Sequence, residues 1–580
     1  MNIDIFDFKQ NEGIKFDIIS KELQGDVTVY TFSFEWNKNA ADFDQTIEFS
    51  WSVPQNGLLY TWSQNSCLSR FLPRNYLPYN HSMISYNSPC IVMFNGKSEH
   101  KYSWALDECS KLVYFKSGID EWDAKVHSYV KIPLKQFANK YSTTFKLRID
   151  AETKSFSKGL RDISKWWEST LKEPPLDVPA LAKEPLYSFW YSYHRAFNAE
   201  IVEKACEKAA KFGFKVMILD DGWQTDNMGW EGYEICGDWQ VGTKKIPNMK
   251  KHVDNVHNLG MKYVLWFSVP FMGRKTKAFA KFENMILRYY SEDVGLLDPR
   301  YKEVRDYLIS LYKKAVGEWG VDGLKLDFID RWRDFEDNAP YNDKMDVFAL
   351  QDAVDKLMSD IVLELKKIKP DILLEFRQGY IGPNMRRFGN MFRVTDCPDD
   401  YLNNRVGVLD LRQIMGNSAV HSDMLMWHKG ETPELIAVQI ISVLFGVMQY
   451  SARLDEIGED AVKVSKFWFD FMNEHRNLLL ESTLTAYEPH LLYTWAKASN
   501  NTECAVAVYS VDKCVTPDDR QKIFVANGAE SERVFVELKG DYTAIILNCM
   551  GEQLIDNLSL NKGVNVMNIP IGGLAILNRK

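Results

Sequence analysis

Between residues 186 and 450 eight short apolar runs recur: LYSFWYS (186–192), FKVMILD (214–220), KYVLWFS (262–268), GLKLD (323–327), ILLEFR (372–377), MFRVTD (391–396), AVHSDM (419–424) and VLFGVMQY (443–450). Long amphipathic stretches such as 200–213 and 346–368 separate them. A short apolar run rich in β-branched and aromatic residues reads as a strand covered on both faces, and strands alternating with helices read as parallel βα units. Eight such units in one span predict a (β/α)8 barrel.

The flanks follow a period of two. VTVYTFSFEW (27–36), QTIEFSW (45–51), GLLYTW (57–62), CIVMFN (90–95), KLVYF (111–115) and TTFKLRID (143–150) alternate apolar and polar residues, as half-buried antiparallel strands do. A helical stretch at 157–171 follows, and then 173–185 places four Pro among thirteen residues, which neither a helix nor a central strand accommodates. The last βα unit is expected to end in the aromatic helix 466–480. Alternation returns in 491–496, 504–510, 533–539, 542–548 and 572–578. The expected order is an N-terminal β-sandwich with a linker helix (1–172), a Pro-rich linker (173–185), the barrel (186–484) and a small C-terminal antiparallel β-sandwich (485–580).

Composition removes several functions. A net charge of −9 with no cluster of Lys and Arg argues against nucleic acid. Nine scattered Cys lack CxxC spacing, and no HExxH, G-x-S-x-G or GxGxxG motif stands in the right context for zinc hydrolysis, serine hydrolysis or dinucleotide binding. The N-terminus has no basic region followed by an apolar core, and no run approaches eighteen apolar residues. A soluble, cytoplasmic chain with no membrane contact is expected.

In a (β/α)8 barrel the active site lies where the strands end. The second run closes on Asp220, before Asp221, Gly222 and Trp223; the fourth on Asp327 after Lys325; the fifth on Glu375 and Arg377; the sixth on Arg393 and Asp396; the seventh on Asp423. A single Asp there is as readily a helix N-cap. Five polar strand ends out of eight, with Trp190, Trp223 and Trp266 nearby, favour a site. Carboxylates, Arg and Trp together suit carbohydrate, whose hydroxyls take hydrogen bonds and whose ring stacks on indole. Glycoside hydrolysis needs two carboxylates. Asp327 suits the nucleophile, because Lys325 shares its strand face and a nearby cation favours the ionised form; a buried Lys–Asp pair is the purely structural reading. Asp396 suits the acid/base, with Asp399 or Asp400 as alternatives.

LDDGWQ (219–224), GLKLDF (323–328) and RVTDCPDD (393–400) resemble the motifs of the α-galactosidases of glycoside hydrolase family 36, in the clan shared with family 27. The resemblance implies an N-terminal β-supersandwich, a catalytic barrel and a C-terminal β-sandwich. It also implies a retaining double displacement on terminal α-linked galactose without metal or organic cofactor. Asp327 is then nucleophile and Asp396 acid/base. Asp220, Asp221, Trp223, Lys325, Trp190, Trp266, Arg377 and Arg393 are the residues expected to hold an oligosaccharide or other glycoside. Three departures stand out: Leu326 where the family has Trp, Ser268-Val269-Pro270 for an acidic pair, and FRQGYIGP (376–383) for a Cys- and Gly-rich stretch. Two alternatives accompany this reading: a raffinose-synthase-like α-galactosyl transglycosylase, and a non-catalytic carbohydrate-binding barrel. The flanking β-domains leave a homo-oligomer open.

Overall fold

The computed structural model describes residues 6–9, 13–39, 45–64, 68–138, 140–229, 232–377, 379 and 381–580. The chain divides into two compact units: residues 1–177, 229–242 and 267–389 form one, and 178–228, 243–266 and 390–580 the other. Eight strands make one parallel sheet: β1 (Leu186–Ser188), β2 (Val216–Leu219), β3 (Lys262–Ser268), β4 (Gly323–Asp327), β5 (Leu373–Arg377), β6 (Met391–Arg393), β7 (Ala419–His421) and β8 (Gln449–Tyr450). Their order is β7-β6-β5-β4-β3-β2-β1-β8, and a parallel bridge from His421 of β7 to Val447, two residues before β8, leaves the sheet a nearly closed barrel.

The first unit opens with two antiparallel sheets of short, alternating strands. In Val27–Trp36 every second residue, Tyr30, Phe32, Phe34 and Trp36, is buried, and these rings meet Phe49, Trp51, Trp104, Phe115 and Phe145 in one core. The buried indoles keep hydrogen-bond partners: Trp51 donates to Tyr102 Oη at 2.7 Å and Trp104 to Ser117 Oγ at 2.9 Å. Helix Phe156–Thr170 follows, capped by the Ser155 hydroxyl. After β3 a three-stranded antiparallel sheet (Phe271–Gly273, Ile286–Ser291, Val294–Leu297) interrupts the βα rhythm. These strands are too short and irregular to be told from loop by periodicity.

In the second unit the expected strands β1, β2, β6, β7 and β8 are all shorter than their apolar runs, β1 and β8 most of all. WYS leaves the sheet as a helical turn, Trp190–Tyr193, and β8 keeps only Gln449 and Tyr450 of its run. The aromatic helix starts earlier than expected, at Glu459, and runs to Glu474 before a wider turn at Asn477–Glu481. The C-terminal strands form sheets of seven and three around Val506, Val525, Val536, Ile546 and Leu577. Glu503–Val508 and Lys522–Asn527 pair parallel within otherwise largely antiparallel neighbours. No helix among the described residues is long and apolar enough to cross a membrane.

Two buried histidines give this fold a pH dependence. His100 places Nδ1 2.7 Å from the Glu152 carbonyl and Nε2 2.8 Å from Ser103 Oγ, while His421 on β7 places Nε2 2.7 Å from the Ala182 carbonyl. Burial pushes each imidazole down to about 4. An unfolded histidine titrates near ~6.5, so the unfolded chain binds more protons between those values. Stability from the neutral rings is complete above about pH 6.5 and is lost as pH falls toward about 4, roughly 3 kcal/mol for each. Thermal unfolding scanned from pH 7 to 4.5 should show a falling midpoint, flattened in His100→Gln and His421→Gln; variants that keep the wild-type slope would contradict this.

Candidate active site

β4 is buried throughout, and its last residue, Asp327, keeps 6% exposure. β4 and β5 pair in parallel with Lys325 opposite Glu375, a register that carries Asp327 opposite Arg377. The Arg377 guanidinium lies 3.1 Å from Asp327 Oδ1, and the Phe328 N–H donates to the same oxygen at 2.8 Å. β5 thus brings a cation, Arg377, to the carboxylate besides the Lys325 that shares its strand face by alternation.

Phe328 adopts a left-handed φ of 66°, costly for a residue with a ring and kept only where packing holds it. Its ring stacks on Phe271 at 4.6 Å and meets Tyr233 edge-on at 5.4 Å, with the Arg377 guanidinium 5.4 Å from its centre. Phe271 comes from the inserted sheet, and the neighbouring Val269 N–H donates to the Asp327 carbonyl at 3.0 Å. The tip of β4 is thereby held rigid. Leu326 is fully buried and, by strand alternation, faces away from Lys325 and Asp327. That departure from the family belongs to wall packing, not to the face carrying the carboxylate. Arg377→Met, which keeps the stem and removes the charge, should lower kcat/KM about 10- to 100-fold at neutral pH, the effect expected when the oriented charge partner of a candidate nucleophile is lost. Steady-state assay on an aryl glycoside checks it.

In the second unit β2 delivers two acids, Asp220 (4% exposed) and Asp221 (1%). Arg195 grips Asp221 Oδ2 with Nη2 at 2.6 Å and Nε at 3.1 Å, and Gln224 Nε2 donates to Oδ1 at 2.6 Å. Burial pushes the Asp221 carboxyl up, opposed by Arg195 and Gln224. Gly222 sits at φ 113°, and a Cβ there would meet Arg195 Cγ at 2.6 Å, so the turn needs glycine for the arginine to pass. Lys245 ties the two segments by donating to the Arg195 and Gly222 carbonyls at 2.8 and 3.0 Å. Asp221 thus uses both oxygens in bracing this turn, and its Oδ1 partner Gln224 was not foreseen as part of it. Arg195→Met would leave a buried carboxylate without its cation, a loss of about 3–5 kcal/mol visible as a lower melting temperature.

Trp223 is fully buried and donates its indole N–H to the Trp266 carbonyl at 2.9 Å; Trp266 is buried too. Trp190 is half-buried beside His194 at 4.8 Å. At β6, Arg393 Nη2 lies 2.8 Å from Asp396 Oδ1, and its Nη1 pairs with the buried Asp423 beyond β7. Asp396 is exposed, with 42% of its side chain open. Its two alternatives have other duties: Asp400 caps helix Tyr401–Ile414 through the Asn403 N–H at 3.0 Å, and Asp399 accepts from Gln439 Nε2 at 2.8 Å. Cys67, Gln378 and Tyr380 lie outside the described residues. Arg195 and Tyr191, which hold Asp221 and Asp423, carried no sequence signal, because their partners lie on other strands.

Residues 151–379 match the family model described as Melibiase. The α-galactosidase Mel36A of Lactobacillus acidophilus is 24% identical over 308 residues, 49% of this chain and 40% of that protein. An α-galactosidase of Escherichia coli is 25% identical over 29% of this chain and 25% of its own length. The matched segments thus span well under half of these curated relatives. Among solved structures, the family 36 α-galactosidase AgaA of Geobacillus stearothermophilus bound to 1-deoxygalactonojirimycin superposes with a TM-score of 0.65 at 15% identity, over 96% of this chain and 80% of that one. The galactosidase domain of the α-galactosidase–sucrose kinase AgaSK gives 0.64 at 13%, over 100% and 86%. Strand ends rich in acids and an eight-stranded parallel barrel accompany these likenesses: residues 151–379 match the Melibiase model, and the chain has the fold of the family 36 α-galactosidases.

Proposed function

We propose that this protein is a retaining α-glycosidase that hydrolyses terminal α-linked galactose. Asp327 attacks the anomeric carbon as the glycosidic C–O bond breaks, and Asp396 donates its proton to the departing oxygen. Water then attacks the β-glycosyl ester, losing its proton to Asp396 and releasing Asp327. Asp220, Asp221, Trp223, Lys325, Trp190, Trp266, Arg377 and Arg393 hold the sugar or shape its pocket. Arg377 does so beside the nucleophile and Arg393 beside the acid/base.

The observation that carries this reading is the Asp327 carboxylate at the end of β4, nearly buried and clamped by Arg377 and the Phe328 amide. The curated relatives named α-galactosidase support galactose as the sugar. A Geobacillus α-galactosidase solved with raffinose supports an oligosaccharide substrate. Domain boundaries at 172, 185 and 484 belong to the same proposal. So does a cytoplasmic location, which accords with eight free cysteines among the described residues.

The test is a panel of aryl α- and β-glycosides followed by proton NMR. Turnover of the α-galactoside with α-galactose as first product supports the proposal, and β-galactose as first product would refute retention. Sucrose added as acceptor separates hydrolysis from transfer: a trisaccharide accumulating in place of free galactose would make the protein a transglycosylase.

A further inference from the structure

Arg393 shares its guanidinium between two carboxylates in different surroundings. Asp396 is 42% exposed; Asp423 is completely buried. Asp423 is held on several sides, with the Tyr191 hydroxyl donating to Oδ2 at 2.8 Å and the Cys397 N–H at 2.6 Å. Asn404 clamps its backbone in both directions, at 2.9 and 3.1 Å. Such a buried anion has no step of its own in the double displacement, yet its side-chain partners converge on Arg393 and on the Cys397 amide next to Asp396.

A guanidinium alone beside Asp396 would hold that carboxylate ionised, and an ionised carboxylate cannot protonate a leaving group. A second anion on the same guanidinium offsets that field and leaves the trio one negative charge in excess. We propose that Asp423 is a positioning residue that, through Arg393, keeps Asp396 both aimed and able to carry the proton the leaving group needs. This rests on the reading of Asp396 as the acid/base.

The titratable groups facing Asp423 are Arg393, Tyr191, Cys397 and Asp396, with Asp400 beside Cys397. Burial pushes the Asp423 carboxyl up, while Arg393 and the Cys397 amide oppose it. Burial also pushes Tyr191 and Cys397 upward, so both stay protonated at neutral pH. The proton in play therefore belongs to the carboxyl pair. Asp396 is the solvent-facing member, from which that proton reaches a substrate.

Asp423→Asn keeps the shape and removes the charge. Carbon-13 NMR of labelled aspartate, with Asp396 assigned by its own Asn variant, should show Asp396 titrating about one pH unit lower. kcat/KM on an alkyl galactoside should fall roughly 10- to 100-fold and on a galactoside of an acidic phenol about threefold or less, with the basic limb of the pH profile displaced downward. Tyr191→Phe removes one donor from Asp423, shifts the shared proton toward it and should move Asp396 the same way by less. It decides the matter if the Asn variant fails to fold. An Asp396 titration unmoved by the folded variants, or equal losses on both substrates, would overturn the proposal. The NMR titration reads the coupling even if wild type turns over no glycoside, and that inactivity would count against the proposed function alone.

Discussion

Asp327→Gly should abolish turnover, lowering kcat by about 10⁴-fold or more, as loss of a nucleophile does elsewhere. Azide or formate should then restore a measurable rate by occupying the vacated space and attacking the anomeric carbon. The product would be a β-glycosyl azide or formate, formed by one displacement with inversion. Arg377, left without its carboxylate, is the natural seat for the external anion, since it already binds a negative oxygen at 3.1 Å. Glycine beside a left-handed Phe328 adds backbone freedom, so Asp327→Asn is the isosteric control. It should be as inactive and should not be rescued, because its amide still fills the site. Rescue without a β-adduct, or wild-type activity in either variant, would remove Asp327 from the role.

The barrel was legible in the sequence because buried parallel strands read as apolar runs whatever their neighbours, and the polar residues that end them mark the loop face. What alternation conveys is which residues share a face of one strand; it does not convey which residue of the next strand lies alongside. Lys325 and Asp327 are on one face by counting, but only the register of β4 on β5 shows Arg377 against the carboxylate. The same limit hid Arg195 behind Asp221 and Tyr191 behind Asp423, each about 25 or more residues from its partner. Trp223 and Trp266 looked like stacking platforms by residue type, and the structure buries both, joined by an indole-to-carbonyl hydrogen bond. Type alone could not separate a wall from a platform. The inserted sheet after β3 was not recognised, although its Phe271 is what steadies Phe328.

Asp396→Asn should divide substrates by leaving group. An alkyl or sugar aglycone departs as a strongly basic alkoxide unless it is protonated, so its kcat/KM should fall about 10²- to 10⁴-fold. A dinitrophenol leaves as a stable phenolate, and its first step should be nearly untouched. Hydrolysis of the glycosyl-enzyme ester also needs a base, so kcat on that substrate should drop while KM drops with it, as the intermediate accumulates. Added azide, which attacks without general-base help, should raise kcat in this variant and yield the α-glycosyl azide. That is the opposite anomer to the one from Asp327→Gly, so the pair of variants assigns both carboxylates by product stereochemistry. If Asp396→Asn instead slows both substrates alike, with Asp399→Asn or Asp400→Asn showing the split, the acid/base lies elsewhere on that loop. The existing bonds of Asp400 to the Asn403 amide and of Asp399 to Gln439 argue that it does not.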